Sequence, residues 1–149
     1  MKENPQKILA LDVGDKTIGV AVSDGLGITA RGLLTVARTG VKKDAGRIME
    51  ILRENGCSMV VIGLPLMLDG SDSPQTEKVR DFAAKLENRL RSNAMADVAV
   101  KFFDERFSTK IAERAMIEAG MRRDKRKAVI DKMAAVVILQ DYLDSTRKT

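Results

Sequence analysis

Residues 7–22 read KILALDVGDKTIGVAV, and the succession of strand, turn and strand within them decides the fold class. Ile8, Leu9, Ala10 and Leu11 make an almost continuous apolar run, as a central strand covered on both faces requires. The expected strand is Lys7 to Val13. Gly14, Asp15 and Lys16 form a turn, and Ile18 to Val22 supplies a second strand close enough to pair as a hairpin. Asp12 ends the first strand in the middle of a sheet, a costly position for a carboxylate unless something cationic meets it. Gly14 and Gly19 allow a backbone or a ligand to approach closely. The simpler reading of Asp12 is that it caps the hairpin turn.

Outward from this hairpin, Gly32 to Val36 reads as a third strand. Lys42 to Asn55 carries Ala45, Ile48, Met49 and Leu52 at helical spacing, and Asn55-Gly56 ends that helix. Met59 to Ile62 is a buried strand, followed by a Gly- and Pro-punctuated loop from Gly63 to Ser73. Pro74 can open a helix whose inner face is Val79, Phe82, Ala83 and Leu86. Val98 to Phe103 is the last strand, and helices at Thr109 to Ala119 and Lys127 to Asp144 finish the chain. The order β-β-β-α-β-α-β-α-α predicts one α/β domain over residues 1–149. Its five-stranded mixed sheet has three antiparallel strands extended by two parallel ones, with helices on both faces. Sites in such sheets form beyond the carboxyl ends of the central strands. Asp12, the Gly63 loop and the Asp104-Glu105 pair all emerge there.

Composition narrows the chemistry. The chain has 149 residues, 44% of them hydrophobic and 32% charged, as in a globular domain able to bury its own core. The apolar runs are too short for a transmembrane helix, and the polar first residues do not resemble a signal peptide. A single cysteine, Cys57, forbids an internal disulfide, so a reducing cytoplasm is the expected location. The chain has no histidine, which excludes Ser-His and Cys-His catalysis and histidine-ligated zinc. A metal here would be held by oxygen, which favours Mg2+ or Mn2+. Aromatic residues are only 3%, too few for a base-stacking platform. A net charge of +5 and a pI near 9.5 fit a polyanionic partner whose backbone and shape are read.

Three further segments carry chemical signals beside simpler explanations. In the Gly63 loop, Ser71, Ser73 and Thr76 are hydroxyl donors next to a helix start that can receive phosphate, although an N-cap serine accounts for much of the pattern. Asp104 and Glu105 follow a buried strand, so one can face the site while the other pairs with Arg106. Alternation alone does not decide which, and a surface ion pair is the plainer reading. Ser108 or Thr109 caps the next helix. Asp131 opens an apolar helical stripe continued by Ala134, Ala135, Ile138 and Tyr142, a conflict that metal binding would remove and an N-terminal dipole contact would soften. Just before it, Arg122, Arg123, Lys125, Arg126 and Lys127 form either a phosphate-holding cluster or a solvated connector.

Taken together, these segments resemble the YqgF/RuvX family, Holliday-junction-resolvase-like proteins of the ribonuclease H-like superfamily. The likeness runs from Ile8 to about Leu143 and includes LDVGDKTIGVA, the GLP loop through DGS, DERFST and IDKMAAVVIL. Thr17 departs from it, since the family commonly has arginine there, a potential phosphate contact. The resemblance implies a ribonuclease H-like fold and a nuclease that trims the 5′ side of the precursor of 16S ribosomal RNA. By matching position it implies Asp12, Glu105 and Asp131 as catalytic metal ligands. The expected mechanism is phosphodiester hydrolysis with two ions about 3.5–4 Å apart. Lys16, Arg106, Arg122, Arg123, Arg126 and Lys127 would meet phosphates, while Ser71, Ser108 and Thr109 position the strand. Three rivals accompany this reading: Holliday junction resolution by a two-fold homodimer, a nucleic-acid-binding factor without catalysis, and an actin-like ATPase. A monomer would count against the first, and the chain is too short for the second lobe of the last.

Overall fold

The computed structural model describes residues 7–104 and 123–147, with side chains in the second stretch described for 133–146. Its elements are β1 (Ile8–Val13), β2 (Thr17–Ser23), β3 (Ala30–Ala37), α1 (Val41–Glu54), β4 (Met59–Leu64), α2 (Pro74–Ser92), β5 (Ala99–Asp104) and α3 (Arg123–Arg147). They form one sheet in the order β3-β2-β1-β4-β5. β1 pairs antiparallel with β2 (Asp12 opposite Gly19) and parallel with β4 (Leu11 opposite Ile62). β5 continues the parallel half, with Leu64 opposite Asp104. The expected mixed sheet is the observed one.

Strand alternation divides the core into two layers. Leu9, Leu11 and Val13 join Ile48, Leu52, Val79, Phe82 and Leu86 beneath α1 and α2. Ile8 and Ala10 face the other way and join Ala21, Val61, Ala135, Ile138 and Leu139 beneath α3. Small residues at Ala10, Ala21 and Ala135, all fully buried, let α3 lie close to the sheet. A strand covered on both sides must be apolar at every position, which is why β1 reads as a run rather than an alternation.

Several boundaries move. β4 continues through Gly63 and Leu64 because both pair with β5, so the loop begins at Pro65. β3 spans Ala30–Ala37 because the β2 ladder holds it along its length, with one register shift between Val20 and Ala21. The last helix starts at Arg123 rather than Lys127, so the basic segment from Arg123 on belongs to its opening turns and is not a connector. Arginine and lysine are good helix formers, and no Gly or Pro interrupts them. The helix expected at Thr109 to Ala119 lies outside the described residues.

Gly46 is buried in the middle of α1, where glycine lowers helix stability. A Cβ there would stand 2.8 Å from Nη2 of Arg89, so the guanidinium occupies the space a side chain would fill. That group is the flexible end of an exposed side chain and can yield. Gly46→Ala is therefore expected to stabilise the protein by about 0.5 kcal/mol and raise Tm by about 1–2 °C in a calorimetric scan.

Candidate active site at the carboxyl edge of the sheet

β1, β4 and β5 run parallel and end on the same edge, and β3, antiparallel to β2, ends there too. Asp12 sits at this edge, half-buried, between the fully buried Leu11 and the buried Val13. By alternation it shares the face of Ile8 and Ala10, the face that α3 covers.

The turn after Asp12 is held from three directions. Gly14 N–H donates to the Thr17 carbonyl at 2.8 Å, and a Cβ on Gly14 would stand only 3.0 Å from that oxygen. Arg38 Nη1 donates to the Gly14 carbonyl at 2.6 Å, and its backbone N–H donates to the Lys16 carbonyl. Gln75 Nε2, from the first turn of α2, donates to the Val13 carbonyl at 3.2 Å. Arg38 is itself fixed by Asp44, whose Oδ2 accepts from Nε at 2.7 Å. Asp44 is 1% exposed and also accepts from the Thr39 N–H, the Thr39 hydroxyl and the Gly40 N–H. Burial alone would push its carboxyl up. The Arg38 guanidinium, the two amides and the hydroxyl outweigh burial and hold it below its ordinary 3.8.

Arg38, Asp44 and Gln75 are absent from the sequence-based site. Asp44 had a readable signal, since it lies four residues before Ile48 on the inward stripe of α1, the pattern that singled out Asp131.

The α2 loop is built mainly by its own side chains. Ser73 Oγ accepts from the Thr76 N–H at 3.2 Å, Thr76 Oγ1 accepts from the Ser73 N–H, and the Thr76 hydroxyl donates to the Pro65 carbonyl at 2.5 Å. This is a capping box with proline at the helix start, so the structural reading of Ser73 and Thr76 holds. Ser71 is exposed, and both its N–H and its hydroxyl donate to Asp69 Oδ1, at 2.9 and 2.6 Å. An aspartate beside that hydroxyl is an unfavourable neighbour for phosphate. Arg80 forks onto Asp72 at 2.8 and 3.0 Å and covers the Phe102 ring on β5, tying the loop to the sheet edge.

On the other face, Tyr142 of α3 donates its hydroxyl to the Met59 sulfur, and Met59 is the register partner of Ile8. Gln140 grips the Ala30 N–H and the Ile28 carbonyl. The end of α3 is thus anchored at the amino end of β1, and its earlier turns run toward the carboxyl end. Asp131 precedes Tyr142 by eleven helical positions, about 16 Å of rise. Asp12 lies four strand positions from Ile8, about 13 Å.

Arg123, Arg126 and Lys127 lie on the opening turns of α3, at the same end, and Lys16 is exposed in the β1–β2 turn. Glu105, Arg106, Ser108, Thr109 and Arg122 lie outside the described residues. Among the described residues no three acids converge as a metal site, and no helix is long and apolar enough to cross a membrane. Burial pushes the Cys57 thiol up to about 11, which leaves little thiolate for nucleophilic work.

The chain is similar to several known proteins. A family model described as "RuvX: Holliday junction resolvase" matches residues 6–145. A Clostridium novyi protein named "Putative pre-16S rRNA nuclease" is 47% identical over 139 residues, covering 93% of this chain and 98% of its own. A Clostridioides difficile protein of the same name is 49% identical over 93% of this chain and 94% of its own. Among solved structures, RuvC of T. thermophilus bound to a Holliday junction superposes with a TM-score of 0.57, covering 97% of each chain at 18% identity. The yeast mitochondrial Holliday junction resolvase Ydc2 gives 0.56 at 10% identity, covering 93% of this chain and 78% of its own. These two likenesses speak for the fold, and the ribonuclease H-like architecture expected from the sequence is the one they share.

Asp44→Ala is expected to destabilise the protein by about 2–3 kcal/mol at neutral pH, because Arg38 loses its buried partner. The folded carboxyl titrates below its unfolded value of 3.8, so its contribution is in place above that pH and disappears as pH falls through the folded value. Urea unfolding of wild type and variant at pH 7 and pH 3 should give a gap that narrows in acid.

Proposed function

The chain belongs to the family described as RuvX, Holliday junction resolvase, and from that membership we propose a divalent-metal-dependent nuclease that processes the 5′ end of the 16S ribosomal RNA precursor. The observation that carries this reading is Asp12, a half-buried carboxylate closing a buried central strand on the face that α3 covers.

Glu105 completes the set in this reading. On β5, Val100 belongs to the α1/α2 layer and Phe103 to the α3 layer, so even positions share one face and odd positions the other. Asp104 has the parity of the α1/α2 layer, opposite to Asp12. Asp104, the last residue of β5, thus lies on the wrong face to join Asp12, which leaves Glu105 as the acid that the family resemblance implies.

The donor set fits a hard cation. Carboxylate oxygens, no histidine and a buried thiol suit Mg2+ or Mn2+ and leave no route for a histidine-ligated zinc site or a Cys-His mechanism. Asp12, Glu105 and Asp131 would hold the ions. When bound, two such ions acidify a water to make the nucleophile and neutralise charge on the departing oxygen. The protein's own part is positional. The Arg38, Thr17 and Gln75 contacts hold the turn after Asp12, and Asp12 keeps its orientation through that rigidity. Lys16, Arg106, Arg122, Arg123, Arg126 and Lys127 neutralise phosphates on either side of the scissile bond, with Ser108 and Thr109 orienting the strand. A reducing cytoplasm, where ribosomal RNA is made, is the corresponding location.

Junction DNA is the second reading, favoured by the family description and by the shared fold of RuvC and Ydc2. A homodimer that cuts four-way junctions and leaves precursor RNA intact would favour it, whereas a monomer would favour the RNA substrate. Asp12→Asn should lower Mn2+- or Mg2+-dependent cleavage of a labelled precursor at least about a hundredfold, since even outer-shell metal contacts are worth 10–100-fold. The fold and much of the RNA binding, measured in chelator, should survive. Unchanged cleavage would refute Asp12 as a ligand.

A further inference from the structure

The face of the sheet opposite Asp12 carries a trough that the catalytic reading does not use. α1 follows β3 and α2 follows β4, so both helices start at the carboxyl edge and run down the sheet side by side. Between their first turns lies a cleft of about 630 Å³, bordered by three acids, Asp15 of the β1–β2 turn, Glu77 and Asp81, and by Arg38, Val41 and Lys78. The next positions along each helix line a second hollow of about 400 Å³, with Lys42 and Ala45 on one wall and Lys85, Asn88, Arg89 and Ser92 on the other. The two hollows follow one another along the α1–α2 face, the first beside the β1–β2 turn and the second further down the helices.

Three features give this path a chemical preference. Lys42, Lys85 and Arg89 line its lower part, and among the described residues no acid does. Lys85 has an exposed partner in Asp81, but among the described residues neither Lys42 nor Arg89 is ion-paired with a carboxylate. Arg89 also has a seat. Its guanidinium lies where a Cβ on Gly46 would be, with only a long 3.5 Å contact to the Lys42 carbonyl. A buried mid-helix glycine weakens α1, and its effect here is to let an unpaired arginine lie against the trough wall with donors left over.

We propose that the α1–α2 trough is a second phosphate track, in which Arg89, Lys42 and Lys85 take backbone phosphates of the RNA strand after it has crossed the catalytic edge. The proposal rests on the nuclease reading above. It extends that reading from a site on one face to a grip on two, with the opening turns of α3 on one side of the edge and the trough on the other. Recognition would be independent of sequence, since amine and guanidinium donors meet only phosphate there.

The test is RNA binding by the full chain across a salt series, in chelator so that no strand is cut, using a labelled precursor fragment that extends well beyond the cleavage point. Wild type is compared with the triple variant Lys42→Gln, Lys85→Gln, Arg89→Gln. Each lost phosphate contact removes about 0.7 from the slope of log K against log salt, so the triple variant should flatten that slope by about 2. Its affinity at low salt should fall about tenfold. Manganese-dependent hydrolysis of a small phosphodiester such as bis-p-nitrophenyl phosphate, which touches only the catalytic edge, should be unchanged and reports an intact fold. A triple variant that keeps both the wild-type slope and affinity overturns the track while leaving the nuclease standing. Wild-type protein that neither binds nor cuts the RNA overturns both.

Discussion

The ion pair between Arg38 and Asp44 ties together three parts of the chain. Asp44 belongs to α1, Arg38 follows β3, and the guanidinium reaches across to the carbonyl of Gly14 in the turn after β1. A buried carboxylate pays a desolvation penalty, and here the arginine, two amides and a hydroxyl offset it. Every donor and acceptor in this arrangement comes from residues 14–44, so the pair can form while the rest of the chain is distant. It fixes how α1 starts against the hairpin, and therefore where the α1–α2 layer sits relative to the strand that carries Asp12.

Much of the fold was legible because the hydrophobic pattern leaves little choice. The run from Ile8 to Leu11 demands a strand covered on both faces, and Ala45, Ile48, Met49 and Leu52 demand a helix with one inward side. Boundaries were less legible where pairing rather than composition sets them. Gly63 and Leu64 join β4 only because Phe103 and Asp104 stand beside them. The charge-rich opening of α3 reads as a connector when only apolar spacing is counted, yet its lysines and arginines favour the helix.

The site was legible by halves. Asp12 stands out as a candidate because a carboxylate at the end of an apolar strand conflicts with its surroundings. The same logic applies to Asp44, whose conflict is resolved by an arginine and not by a metal. An acid on an inward stripe thus announces a demanding partner without naming it, and Arg38, six residues away in a loop, offers no pattern that would identify it beforehand. Ser73 and Thr76 show the opposite case, where hydroxyls suited to phosphate are occupied in capping their own helix.

The closure of the second face has a consequence for the order in which the chain becomes a finished object. Gln140 holds the backbone of Ile28 and Ala30, more than a hundred positions earlier, and Ala135, Ile138 and Leu139 cover Ala10 and Ala21. Strands β1 and β2 leave the ribosome well before α3, and their outer surface stays bare until α3 has been synthesised. Contacts this distant in sequence slow folding, and an uncovered apolar sheet is a target for self-association or chaperone capture in the interval. A chain truncated before α3 would present that bare surface permanently. Synthesis of α3 is therefore a condition for covering that surface.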